Sequence, residues 1–165
     1  MKRIPVLFIV CLLVLALSSC HFKEKRAKHY HDEVLQSVQA VIDNSLEYGD
    51  GIQSYEKARA LQAHERYSTL VNSTFAKIET LKDFEGDTTM EHYSKELLGF
   101  YKTTLNNELQ PFLQSVKAEA FSPEEMLVAD SLMSKLTMTE TLYWERFNWA
   151  EKKFYKEESI GKVEK

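Results

Sequence analysis

Hydrophobic residues along this chain fall into one near-continuous run and then four periodic stretches. Ile4 to Leu17 are apolar apart from Pro5. Beyond that run, apolar residues recur every three or four positions, the repeat of one face of an α-helix. Nowhere does a β-branched, alternating run sit between turn residues, so no strand is predicted. The fold class read from this pattern is all-α.

The spacing predicts a first helix over 26–48, with Val34, Val38, Val41, Ser45 and Tyr48 inward and Leu35, Ile42 and Leu46 widening that side. Gly49-Asp50-Gly51 is expected to end it, because glycine adopts the left-handed conformation that closes a helix. Ser54 is expected to cap a second helix whose stripe runs Ala60, His64, Tyr67, Val71, Thr74, Ile78 and Leu81. Thr88 and Glu91 read as a capping box opening a third helix, whose inner side runs from Tyr93 through Leu97, Tyr101, Leu105 and Leu109 to Val116. Inside it, Gly99 reads as a close approach or simple tolerance, and Pro111 predicts a kink or a break. The fourth helix has the clearest start: Ser122 as N-cap, Pro123 in the first turn, Glu125 closing the box, and Phe121 with Met126 placed to staple across it. Its stripe runs from Met126 to Phe154 and includes Glu140, with Trp144 and Tyr155 on one flank and Leu142 and Trp149 on the other. So wide a band predicts contact with neighbours over more than half of its circumference. Connections of only about five residues make successive helices antiparallel, which predicts an up-down-up-down four-helix bundle of long helices.

Lys2 and Arg3, the apolar run, and then small residues before a cysteine give the layout of a secretory signal. About fourteen apolar residues rise roughly 21 Å, short of the roughly 30 Å needed to span a bilayer as a helix. Leu17-Ser18-Ser19-Cys20 resembles the lipobox of bacterial lipoproteins. That resemblance implies cleavage before Cys20 and acylation of Cys20 with palmitate-like chains on its sulfur and new amino group, giving a stable membrane anchor. The chain then divides into a signal peptide at 1–19, a lipidated cysteine and tether at 20–25, a helical domain at 26–157 and a flexible tail at 158–165. The helical domain also resembles the uncharacterised all-helical domains of Gram-negative surface lipoproteins, most of all over Asp83 to Gln114, around Phe100-Tyr101-Lys102. A residue other than Asp after the lipidated cysteine, here His21, implies sorting to the outer membrane. Lys23, Lys25 and Arg26 differ from the acidic patch used for surface display, and so favour the periplasmic face.

Charge narrows the partners. Lys2 and Arg3 belong to the signal, so 21 basic residues become 19 against 25 acidic, a net charge of −6 with histidines neutral. Nucleic acid is excluded as an expected partner. Cys11 and Cys20 are the only cysteines, so the domain past the anchor has no thiol for a disulfide and depends on packing.

Candidate chemistry is sparse. No Glu-x-x-His motif of the kind that builds metal sites in bundles occurs, nor a Cys-x-x-Cys-His haem motif. The cluster His29-Tyr30-His31-Asp32-Glu33 reads as a solvated helix start, and His64 as a hydrogen-bonded histidine at the core boundary. Glu140 reads as an edge carboxylate paired with Lys or Arg, and Asp83 to Asp87 as a capped turn. No catalytic residue, metal ligand or cofactor is expected. Trp144, Trp149 and Tyr155 are the aromatics that core packing does not require, and they form the candidate partner surface. The resulting expectation is a non-enzymatic envelope module binding a protein, peptide or polymer; the alternative is a small-ligand or metal carrier using the bundle core.

Overall fold

The structure, a computed structural model, describes the backbone of residues 4–158 and side chains from Phe22 onward. The side chains of the signal segment and of Cys20, and the tail 159–165, lie outside the described residues. The protein is all-α: α1 (Ile4–Asp43), α2 (Ser45–Ile52), α3 (Lys57–Thr80), α4 (Thr89–Thr104), a π turn (Leu105–Leu109), α5 (Gln110–Ser115) and α6 (Pro123–Glu157). Among the described residues no helix is long and apolar enough to cross a membrane.

The first two helices differ from expectation. The helix expected to begin at 26 begins earlier, so the stretch 20–25 read as a tether is helical and lies within α1. Gly49-Asp50-Gly51 does not end a helix either. The break lies earlier, at Asn44, and the glycines sit inside α2. A helix end leaves its last carbonyls without intrahelical partners. Here side chains supply them: Asn44 Nδ2 donates to Ala40 O (2.8 Å), Tyr67 Oη to Val41 O (3.2 Å) and Ser45 Oγ to Ile42 O (2.8 Å). Gly51 has a packing role instead. A Cβ there would stand 2.3 Å from Ala63 Cβ, so α2 approaches α3 as closely as only glycine permits.

Ser54 does not cap α3, whose N-cap is Glu56; its hydroxyl donates to Gly51 O at 2.7 Å instead. The predicted stripe of α3 is otherwise the buried one, from Ala60 to Ile78. Thr88 occupies the N-cap position of α4 as expected, but its side chain makes no capping hydrogen bond. Asp87 Oδ1 accepts from the Thr89 N–H at 2.7 Å, while Glu91 pairs with Lys95. The 83–87 segment is a capped turn as expected, with Asp83 Oδ1 accepting from the Gly86 N–H (3.2 Å) and Gly86 at φ +92°. Gly99 is simple tolerance, since a Cβ there would meet Phe75 at an ordinary 3.7 Å.

Pro111 leaves no gap in the helical stretch, which runs from α4 through the π turn into α5. The backbone widens just before it into the π turn, which adapts the ladder where proline offers no N–H. Ser122 caps α6 through the full box: Glu125 N–H donates to Ser122 Oγ (3.3 Å) and Ser122 N–H to Glu125 Oε2 (2.7 Å).

At one end of the molecule the α2–α3 and α5–α6 connections are hydrogen-bonded to each other. Lys57 N–H donates to Glu119 O and Phe121 N–H to Tyr55 O, both at 2.8 Å. At the other end Lys23 pairs with Glu85 and Glu158 (3.3 and 2.8 Å), and Arg26 pairs with Glu85. Between them lies a single core that includes Val34, Val71, Leu97, Tyr101, Leu109 and Phe147.

Candidate functional site: an open groove beside the last helix

The packing of α6 is unequal around its circumference. It lies along α4, where Tyr143 stacks on Phe100 (4.9 Å between centroids), Tyr93 meets Trp149 edge to face (5.7 Å), and Lys153 Nζ donates to Thr89 Oγ1 (3.2 Å). Toward α1 and α2 there is no continuous helix-to-helix seam among the described residues. That flank is pinned at two places. Tyr30 and His31, in the second half of α1, pack with Phe154, and Tyr55 Oη donates to Asp130 Oδ1 (2.9 Å) near the start of α6.

Between the pins is a groove of about 580 Å³. Ile42, Leu46 and Asp50 form one wall, and Met133, Met138, Glu140 and Trp144 form the other. Its apolar lining is open to solvent, with Leu46 79% and Met138 71% exposed. The groove has a simple origin. The break at Asn44 lets α2 turn onto α3, and Gly51 lets it sit close there, so α2 meets α6 locally, where Gly49 faces the end of Met133, rather than along a seam.

Glu140 is half-buried on this wall, but it is not the predicted edge residue paired with Lys or Arg. Among the described residues no cation bonds to it, and burial pushes its carboxyl pKa above the usual carboxylate range. The Tyr101 hydroxyl opposes that rise. That hydroxyl is fully buried and has no hydrogen-bond partner among the described residues, and it lies near enough to the carboxylate to act on it. Behind it a tyrosine cluster continues: Tyr67 meets Tyr101 edge to face (5.9 Å) and stacks on Tyr48 (4.7 Å). Burial raises the pKa of all three phenols, which stay protonated.

His64 is buried, as predicted for a hydrogen-bonded histidine, with Nδ1 3.3 Å from Tyr48 Oη and Nε2 3.3 Å from Ser68 Oγ. Desolvation lowers its pKa. The expected solvated start at 29–33 is corrected at His31, which is only 3% exposed. Its Nδ1 lies 3.0 Å from Asp32 Oδ1 and its Nε2 3.1 Å from Glu151 Oε1, so neither nitrogen is free as a base or metal ligand. Residues at 29–33 were read within their own helix, and the partner Glu151 comes from α6, which no local pattern reveals. Nearby, desolvation pushes the Tyr30 phenol up to about 12.

The three aromatics of the expected partner surface do not come together. Trp144 lines the groove with Phe147 stacked on it at 5.4 Å. Trp149, 53% exposed, lies on the α4 side beside Tyr93, with Lys153 Nζ 5.7 Å from its ring centre. Tyr155 is 37% exposed and packs edge to face on His31 at 4.7 Å. Leu142 and Met138 are also exposed, so the contact of α6 is narrower than its apolar band. The groove was missed because it depends on where α1 breaks; Leu46 and Met138, apolar and exposed on facing elements, are its only local signal.

A smaller hollow of about 260 Å³ beside Tyr48 and Tyr67 carries the Glu47–Arg66 ion pair (3.0 Å), so it has no charge preference. Among the described residues no group of three or more His, Cys, Asp or Glu is placed to hold a metal ion. No protein-family model, curated protein or solved structure matches this chain.

Proposed function

We propose that this chain is a non-enzymatic binding module of a bacterial envelope, anchored by lipid on Cys20, with the groove between α2 and α6 as its binding site. The single observation behind the binding role is that groove, an open apolar concavity between well-packed ends. Its volume falls within the range of small-molecule sites, which favours ligand capture over docking through Trp144, Trp149 and Tyr155 on their separate faces. The resemblance of Leu17-Ser18-Ser19-Cys20 to a lipobox supports the anchor and a place in the outer membrane facing the periplasm. The hydrogen-bonded connections at one end, and the Lys23–Glu158 and Arg26–Glu85 pairs at the other, support an up-down-up-down bundle. In that arrangement Asp87 is nearer the bilayer than Asp50.

Three measurements test the reading. Radioactive fatty acid labels the wild type and not Cys20→Ser, and equal label on both rejects the anchor. Probes at Asp50→Cys and Asp87→Cys in reconstituted vesicles are quenched by lipid more strongly at 87, and the reverse rejects the orientation. Leu46→Cys and Met138→Cys react with maleimide more slowly in native envelopes than as purified lipoprotein in nanodiscs, whereas the exposed control Leu127→Cys reacts alike in both. Equal rates for all three in both settings reject occupancy of the groove.

A further inference from the structure

We infer that the groove takes a small amphipathic organic cation, with its ammonium group at Glu140 and its apolar body along Leu46, Met133 and Trp144. This inference rests on the binding role above and names its ligand class.

Charge is the first argument. Asp50, Asp130 and Glu140 line the groove, and no lysine, arginine or histidine does. Elsewhere on the molecule several acids are matched across helices: Glu33 with Lys77 (3.4 Å), Glu108 with Lys135 (2.6 Å) and Glu96 with Arg146 (3.6 Å). Asp130 is engaged by the Tyr55 hydroxyl, and Asp50 is exposed at the rim. Asp130 and Glu140 are both partly buried without a cation among the described residues, but Asp130 already accepts from Tyr55, which leaves Glu140. A half-buried carboxylate is costly without a counter-ion, and a bound ammonium supplies one.

The second argument is the wholly buried Tyr101 hydroxyl, which interacts with Glu140 from the core side but has no hydrogen bond of good geometry. Tyr101 does not itself line the groove, so this hydroxyl acts on Glu140 from behind. The walls supply the rest. Methionine packs adaptably against varied apolar shapes, and an indole ring attracts a cation over its face. Trp144 is held for this by Phe147 stacked on it. A bare calcium ion seeks six to eight oxygen ligands, which these walls do not offer. An anion meets three carboxylates, and an uncharged apolar ligand has no use for Glu140.

The test uses the full lipidated chain in nanodiscs, with the methionine methyls labelled with carbon-13. Three probes of one shape differ only in charge: 4-phenylbutylammonium, 4-phenylbutanol and 4-phenylbutyrate. The ammonium compound is expected to shift the methyls of Met133 and Met138 at the lowest concentration and to leave buried Met90 unmoved. The anion is expected to shift neither groove methyl. Glu140→Gln is expected to weaken the ammonium compound at least tenfold and leave the alcohol unchanged, with an unmoved Met90 signal reporting an intact core. Met138→Arg, which places a cation at the exposed mouth, weakens it independently of Glu140. Binding equal for all three probes, no binding of the ammonium compound, or an unchanged affinity in Glu140→Gln overturns the inference. These outcomes leave the maleimide result untouched, so a groove occupied by other chemistry remains distinguishable from one that is empty.

Discussion

The two flanks of α6 belong to one amphipathic helix yet have different fates. Along α4 and the π turn after it, α6 is packed from Thr89 to Glu108 by stacked rings, edge-to-face rings, a hydrogen bond and an ion pair. Along α1 and α2 it is fastened near Asp130 and near Phe154 and left open between. Both flanks are rich in apolar and aromatic residues. What separates them is the neighbour: α4 continues alongside, whereas the opposing chain breaks at Asn44 and folds onto α3. An apolar band marks surface that can be buried, and the partner backbone decides how much of it is.

The largest effect expected comes from the core between the two flanks. Phe147 is fully buried, and Phe147→Ala should cost about 3 to 5 kcal/mol in urea unfolding, through lost burial and the cavity left behind. A loss near zero would mean that Phe147 does not belong to the core. Gly51→Ala acts on the cause of the groove. Glycine to alanine normally favours a helix, but the new methyl collides with Ala63, so the variant should lose about 1 to 3 kcal/mol in the same measurement. A gain in stability would show that α2 is not held tightly to α3.

Trp149→Ala probes the exposed rim of the packed flank. Half its surface is already in water, and its ordered contacts are the Tyr93 edge and the Lys153 ammonium, so a loss of about 0.5 to 1.5 kcal/mol is expected. A loss matching Phe147→Ala would place Trp149 in the core. The most conditional effect is that of His64. Its folded pKa is lowered, so the unfolded chain takes up the proton first, and stability falls as pH drops from about 6.5 toward the folded value. Comparing melting temperatures of wild type and His64→Gln between pH 7.5 and 5 should show the steeper acid loss in wild type; parallel curves would contradict a neutral, desolvated histidine.

Much of this fold was legible because helix stripes are local. Ala60 to Ile78 in α3, and Ala129, Met133, Leu136, Phe147 and Phe154 in α6, are buried as their spacing predicts. The Ser122–Glu125 box was legible for the same reason, since its chemistry lies within four residues. Gly51 was misread because a glycine that ends a helix and one that admits a neighbouring helix look alike until Ala63 is placed against it. Glu140 was recognisable as anomalous from its place on an aromatic stripe, but the want of a cation beside it is a fact of three dimensions. His31 belongs with these, because Glu151 stands 120 positions away in sequence.

The π turn has a consequence for the length of the chain. Leu97, Tyr101, Leu105, Leu109 and Leu113 are all buried at uniform steps of four, and on a straight α-helix each such step drifts about 40° around the axis. The wider turn at Leu105–Leu109 takes back part of that drift, with Asn106 and Asn107 facing outward. The third helix therefore accommodates one residue more than a plain α-helix with the same buried face. Deleting Asn107 shortens the step from Leu105 to the next buried leucine to three, which an ordinary helical turn satisfies. A one-residue deletion in mid-helix usually swings everything beyond it by about 100°; at this place it leaves the inward face in register, making the π turn the point where the helix can be edited in length.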